Sequence, residues 1–274
     1  MRRILDRPVF VIAMPRSGST LLFDLLRVHQ RVRAWPGEAY PPWAAVDPNV
    51  STGPRGDQFD PACLDANAWR RAEWSFHEGV MRPGWRERHG RVRYRLVDKT
   101  PPNVLRVPAL DAMFPDALFV HLTRDAPPMI ASMLEGRERG LSVRAWPQRN
   151  GIDWHFLMPP GWMDRLSHSP AEQFAWQWEV GHQTPLNDLG RINPSRVLRV
   201  RYEDLVADAP TAVNDIVAFA QLPPSSAVTN AAKELAVNDV SLSAPSKDKW
   251  NARAAEIEPV IGQLAAFRAE LGYL

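Results

Sequence analysis

The strongest constraint in this chain lies between Val9 and Leu26, where an apolar strand breaks into a tight turn and restarts as a helix. The run from Val9 to Met14 is short, continuous and apolar, which suits a buried strand. Pro15 to Thr20 supplies the turn, and Leu22, Leu25, Leu26 and His29 follow at i, i+3, i+4 and i+7, the spacing of an amphipathic helix. Such a corner points backbone N–H groups and the positive end of a helix dipole at one spot, which makes an anion site. The turn adds one fixed cation, Arg16, and three hydroxyls, Ser17, Ser19 and Thr20.

The turn differs from the loop of nucleotide triphosphatases, G-x-x-x-x-G-K-[ST]. Laid on that pattern, Ala13 takes the first glycine's place, Gly18 the second and Ser19 the lysine's, with Thr20 last. The lysine that reaches β- and γ-phosphates is therefore missing, and Arg16 stands inside the turn behind a rigid Pro15. This suits a nucleotide with a phosphate on its 5′ side and no triphosphate tail. Pro15-Arg16-Ser17-Gly18-Ser19-Thr20 resembles the 5′-phosphosulfate loop of sulfotransferases that use 3′-phosphoadenosine 5′-phosphosulfate (PAPS).

A second stretch fits the same family. Leu118 to Thr123 is again an apolar strand, followed by Arg124-Asp125-Ala126-Pro127 and, within the next helical pattern, Ser132. This resembles the family's 3′-phosphate element, in which a guanidinium grips phosphate with paired donors and a helical hydroxyl adds another. The plainer alternative is an arginine paired with Asp125 and a serine facing solvent. Asp98-Lys99-Thr100-Pro101 ends a further strand, with Lys99 where the family places a basic residue near the sulfuryl group. Arg201-Tyr202-Glu203-Asp204-Leu205 resembles the strand exit whose tyrosine approaches the nucleotide. Leu242 to Trp250 resembles the late basic loop over the 3′-phosphate; it lacks the Arg-Lys-Gly of cytosolic animal enzymes, and Lys247 or Lys249 could serve there.

The architecture expected is α/β, a P-loop-like parallel sheet flanked by helices. Strands near 9–14, 94–98, 118–123 and 196–201 each precede a turn and a helical pattern, among them Val107/Leu110/Phe114, Val213/Ile216/Val217/Ala220 and Ile257/Val260/Ile261/Leu264/Phe267/Leu271. Ligands in such sheets sit at the carboxyl ends of strands, where Arg16, Lys99 and Arg124 can converge. Residues 1–274 are expected to form one domain, with two insertions, about 35–93 and 137–170, forming an acceptor-binding lid. The first is rich in Pro, Trp and Arg. The second holds Trp146, Trp154, His155, Phe156, Met158, Trp162 and Met163 among prolines. As a group these aromatics favour an apolar or aromatic acceptor; singly, each also suits loop packing. Trp176, Trp178 and His121 are expected in the core.

The formal net charge of +2 at pH 7 calls for no nucleic-acid partner, and the arginines from Arg82 to Arg95 read as solvated faces. One cysteine, Cys63, gives neither a disulfide framework nor metal-site spacing, so no metal is expected. The apolar run behind the basic Met1-Arg-Arg start is too short for a secretory segment. No stretch approaches the ~20 apolar residues of a spanning helix. These features predict a cytoplasmic enzyme.

The resemblance implies in-line sulfuryl transfer from PAPS as co-substrate. Lys99 and Arg16 would stabilise charge, while the loop N–H groups and Thr20 hold the 5′-phosphate. An acceptor hydroxyl (an amine is the lesser option) needs a base. Gly37-Glu38 resembles the turn that supplies it in tyrosylprotein sulfotransferases, which nominates Glu38. Pro101 stands where cytosolic animal enzymes carry a histidine base, closing that route here. His155 is the second candidate and Asp98 the third. The acceptor could be a small hydroxylated metabolite, a phenol, a lipid or a carrier-tethered intermediate. A small-molecule or nucleoside kinase on a related loop, and a non-catalytic nucleotide-binding relative, are the alternatives.

Overall fold

Both faces of the central strands are covered by helices, which is why those strands read as unbroken apolar runs. The computed structural model describes residues 5–80, 94–235 and 249–274. Strands β1 (Val9–Ala13), β2 (Val32–Ala34), β3 (Arg95–Asp98), β4 (Leu118–Thr123) and β5 (Val197–Arg201) form one sheet in the order β2-β3-β1-β4-β5. Every pairing is parallel; Val9 stands beside both Val97 and Leu118, and Phe119 beside Val197.

Side chains alternate across a strand, so β1 feeds two cores. Phe10 and Ile12 join one layer with Trp43, Phe76, Leu110, Met129, Trp178 and Leu264. These come from α2 (Tyr40–Ala44), α3 (Ala68–Val80), α4 (Val107–Met113), α5 (Ala126–Glu138), α7 (Pro170–Leu189) and α11 (Ala254–Glu270). Val9, Val11 and Ala13 face the other layer, with Leu22, Leu25, Leu205, Val213 and Val228. That layer is α1 (Ser19–Arg27), α8 (Tyr202–Ala207), α9 (Ala209–Phe219) and α10 (Ser226–Leu235). Each fully buried Leu or Phe contributes roughly 1.5–3 kcal/mol of transfer free energy.

The strands read from the sequence are all present, and the helical patterns at Val107, Val213 and Ile257 are α4, α9 and α11. Strand β2 is additional. His121 is buried in β4 as expected, but its Nδ1 has no hydrogen-bond partner among the described residues. Burial first, then His182 and Arg199, push its pKa down to about 3, so it is neutral at ordinary pH. Arg95, read as part of a solvated face, is instead buried and donates from Nη1 to the Arg7 carbonyl at 2.8 Å. The rest of that arginine run lies outside the described residues.

The two insertions close on each other over the strand ends. The second carries α6 (Ala145–Arg149) and a 3-10 turn, Trp162–Arg165. Asp57 N donates to the Met158 carbonyl at 2.8 Å, Met158 N to Asp57 Oδ2 at 2.7 Å, and Trp162 Nε1 to the Gly53 carbonyl at 3.1 Å. Gly56 sits at φ +60°, and a Cβ there would lie 2.1 Å from the Met158 oxygen. Trp154 and Trp162 are fully buried with ring centroids 5.2 Å apart, so they pack the second insertion rather than wall a ligand. Trp178 is core as expected, whereas Trp176 joins the satellite cluster around Trp154 and Trp162.

Among the described residues, no helix is long and apolar enough to cross a membrane. The crevice follows from strand order. The chain leaving β1 runs toward β2 and that leaving β4 runs toward β5, so adjacent strands part their loops between them.

Candidate active site

The turn after β1 is built around two left-handed residues, Arg16 at φ +68° and Gly18 at φ +89°. Ser17 is fully buried; its N–H donates to the Met14 carbonyl at 3.3 Å and its hydroxyl to the same oxygen at 2.6 Å. Ser17 therefore ties the turn from inside, and its hydroxyl is spent there rather than on a ligand. Gly18 caps α1 with no side-chain bond, which leaves the first N–H groups of α1 without intrahelical partners. Ser19 and Thr20 open that helix at the crevice.

Arg16 Nε donates to Ser132 Oγ at 3.0 Å, and Arg124 Nη1 donates to the Arg16 carbonyl at 2.9 Å. Arg124 also lies over the Tyr202 ring, 4.2 Å from its centroid. The same ring presses on Gly18, where a Cβ would fall 2.2 Å from Tyr202 Cδ2. Five residues singled out for the nucleotide (Arg16, Gly18, Arg124, Ser132 and Tyr202) thus meet at one point.

Asp125 does not pair with Arg124. It caps α5 through Ala126 N at 2.8 Å and takes both arms of Arg268, at 2.8 and 2.9 Å. Among the described residues the partners of Arg16 and Arg124 are a hydroxyl and a carbonyl rather than carboxylates, and Arg124 Nε is buried with no partner. Burial first, then Arg124, lowers the Arg16 pKa; burial lowers that of Arg124. An anion in the crevice would relieve both.

The next strand end brings the second part of the site. Lys99 is buried and its Nζ lies 3.1 Å from Glu38 Oε1. Both line a small cavity of about 90 Å³ together with Arg16, Ser19 and Thr20 on one side. The rest of the lining includes Pro101, Pro102, Tyr40, Ser142, Arg144, Phe156 and Leu157. Arg16, the Lys99–Glu38 pair and a set of apolar and phenolic side chains therefore share one cleft. A larger cavity of about 580 Å³ opens at the free edge of β5, lined by residues such as Leu198, Arg199 and Ile216, and holds none of the expected site residues.

His155 does not join the cleft. It is buried, its Nδ1 lies 2.8 Å from the Leu141 carbonyl and its Nε2 lies 2.9 Å from Asp153 Oδ1, so both ring nitrogens are engaged. Asp98 is sealed beneath the cleft by Thr100 and Asn103. Burial raises its pKa to about 6 against the opposing effect of those hydrogen bonds. Lys247 lies outside the described residues, and Lys249 opens the 3-10 turn Lys249–Arg253.

Sequence reading missed the support of the cleft lining. Arg144 donates to Tyr40 Oη at 3.0 Å and pairs with buried Asp57, and Arg106 lies behind, 3.9 Å from the same carboxylate. The Tyr40 hydroxyl pKa is pushed up to about 12, by burial above all. Asp57→Ala leaves the buried Arg106 and the largely buried Arg144 without this counter-charge and is expected to lower stability by about 3–5 kcal/mol in urea titrations. An unchanged urea midpoint would show that the pair carries no stability.

Residues 8–226 match the description "Sulfotransferase family". The chain belongs to the sulfotransferase family. A putative protein-tyrosine sulfotransferase of Caenorhabditis briggsae is 27% identical over 141 residues, covering 47% of this chain and 44% of that protein. An uncharacterized protein of Aquifex aeolicus (strain VF5) is 25% identical over 230 residues, covering 79% of this chain and 26% of its own length. The chain thus spans less than half the length of either relative. The crystal structure of sulfotransferase STF9 from Mycobacterium avium superposes with a TM-score of 0.56 at 16% identity, over 97% of this chain and 77% of that one. That likeness shows the P-loop-like fold.

Proposed function

We propose that this chain moves a sulfuryl group from PAPS to a hydroxyl of a small apolar or aromatic acceptor, free or carrier-borne, with Glu38 as base. The observation that carries this reading is the Lys99–Glu38 pair at 3.1 Å in the same cleft as Arg16. The residues present suit the donor. Among the described residues Arg16 and Arg124 meet no carboxylate at ion-pair distance, Arg124 Nε has no partner, and Gly18 lets the Tyr202 ring close directly on the turn.

Arg16 and the N–H groups of Ser19 and Thr20 would hold the 5′-phosphate. Arg124 and Ser132 would hold the 3′-phosphate, with Lys249 a further cation for it, and Tyr202 would flank the nucleotide. Lys99 would neutralise charge developing on the bridging oxygen as the S–O bond to the 5′-phosphate breaks. Glu38 would take the acceptor's proton as its oxygen bonds to sulfur, leaving the sulfate ester and 3′-phosphoadenosine 5′-phosphate (PAP). Phe156, Leu157, Pro101 and Pro102 would exclude water from the acceptor side.

Calorimetric titration with PAP, beside ATP and 5′-AMP without magnesium, tests the donor half. The expected result is a strong preference for PAP, weakened at least about tenfold in Arg124→Ala. Equal binding of ATP, or none of PAP, would overturn it and favour the kinase alternative.

A further inference from the structure

The hydroxyl of Thr100 joins the two halves of the cleft. It is fully buried, accepts the Ala39 N–H at 2.9 Å and donates to Asp98 Oδ1 at 2.9 Å. Asn103 Nδ2 takes the other oxygen of Asp98 at 2.7 Å. A hydroxyl has one proton to give. With that proton committed to Asp98, an oxygen lone pair is aimed at the Ala39 amide.

Covalent connectivity makes this one bond consequential. Ala39 follows Glu38 and Thr100 follows Lys99, so the base and the cation flank a single backbone-to-hydroxyl hydrogen bond. On the other side of Glu38 stands Gly37, at φ +86° with no atom of the described residues within 4 Å of its Cβ position. The tether runs from the loop into the end of β3, the strand that also delivers Lys99.

We infer that Thr100 is a positioning residue for the transfer reaction, holding Glu38 at its working distance from Lys99 through the Ala39 amide. This rests on the reading of Glu38 as base. Thr100→Val keeps the shape and deletes the hydroxyl, leaving the Ala39 N–H and Asp98 Oδ1 unpaired. A small displacement of a reacting group can cost about 10²-fold in rate.

The test follows PAP release from PAPS, with 4-nitrophenol as acceptor and with water alone, in wild type, Thr100→Val, Thr100→Ser, Glu38→Gln and the Thr100→Val/Glu38→Gln double variant. PAP affinity is measured calorimetrically on each. The expected result is a 10- to 100-fold loss of kcat in Thr100→Val with PAP affinity within about threefold of wild type, and recovery of most of the rate in Thr100→Ser. In the Glu38→Gln background, Thr100→Val should cost nothing more, because a residue acting through the base has no effect once the base is gone.

Wild-type kcat in Thr100→Val, an equal loss in Thr100→Ser, or an undiminished further loss in the double variant would overturn the inference alone. Thr100→Ala repeats the test should Thr100→Val fail to bind PAP. Failure of both to bind would make the hydroxyl a folding requirement and overturn the inference as well. A wild type that binds PAP yet turns over no PAPS would overturn the proposed function and this inference with it.

Discussion

Replacing Glu38 by Gln is expected to slow sulfuryl transfer by about 10²–10⁴-fold while PAP binding stays within about threefold of wild type. Glutamine keeps the length of the side chain and can still accept a hydrogen bond from Lys99 Nζ, now 3.1 Å from the carboxylate. It cannot take a proton, so the loss belongs to chemistry rather than to donor binding. Lys99→Ala should also cost about 10²–10³-fold, because it deletes a cation from a water-poor site, and it should weaken donor binding too. Steady-state kcat and calorimetric affinity separate the two variants. If Glu38→Gln kept the wild-type rate, the base would lie elsewhere. His155, with both ring nitrogens engaged, and Asp98, sealed by Thr100 and Asn103, would then have to rearrange to serve.

The second large effect concerns the turn after β1. Gly18→Ala is expected to lower stability by about 2–4 kcal/mol, combining a left-handed backbone with overpacking, and to weaken PAP binding by at least tenfold. At φ +89° an L-residue is strained, and its Cβ would sit 2.2 Å from Tyr202 Cδ2. The ring cannot retreat freely, because Arg124 lies over it at 4.2 Å and is bonded to the Arg16 carbonyl. Displacement would therefore spread from the turn to Arg16 and Arg124. Urea titration and calorimetry measure the two losses. Gly262→Ala, in a helix with open space at the Cβ position, serves as the control. Wild-type affinity in Gly18→Ala would show that the turn does not need its close approach to Tyr202.

The sequence made the frame legible where burial is two-sided. β1 and β4 lie under helices on both faces, so their apolar runs stand out, and the motifs at their ends carry Arg16 and Arg124, which the fold brings into contact. β2 escaped notice because it is a three-residue edge strand with only Val32 buried and Arg33 partly exposed. Ser17 resembled a ligand group by position, yet it faces inward to the Met14 carbonyl. His155 drew attention through its aromatic neighbours, whereas its ring serves the turn from Leu141 to Asp153. The Tyr40–Arg144–Asp57 assembly joins two insertions far apart in the chain, and the Asp125–Arg268 pair spans about half of it. No spacing rule reaches such contacts; tertiary packing alone brings them together.

The measurement that tests the central proposal most directly uses PAPS labelled with sulfur-35 in the sulfuryl group, a panel of small phenols and alcohols, and the wild-type and Glu38→Gln proteins. The expected result is label moving from PAPS to at least one acceptor with one PAP released per transfer, and loss of that signal in Glu38→Gln. Label that stays on PAPS with every acceptor, while the γ-phosphate of ATP is transferred in the presence of magnesium, would contradict it.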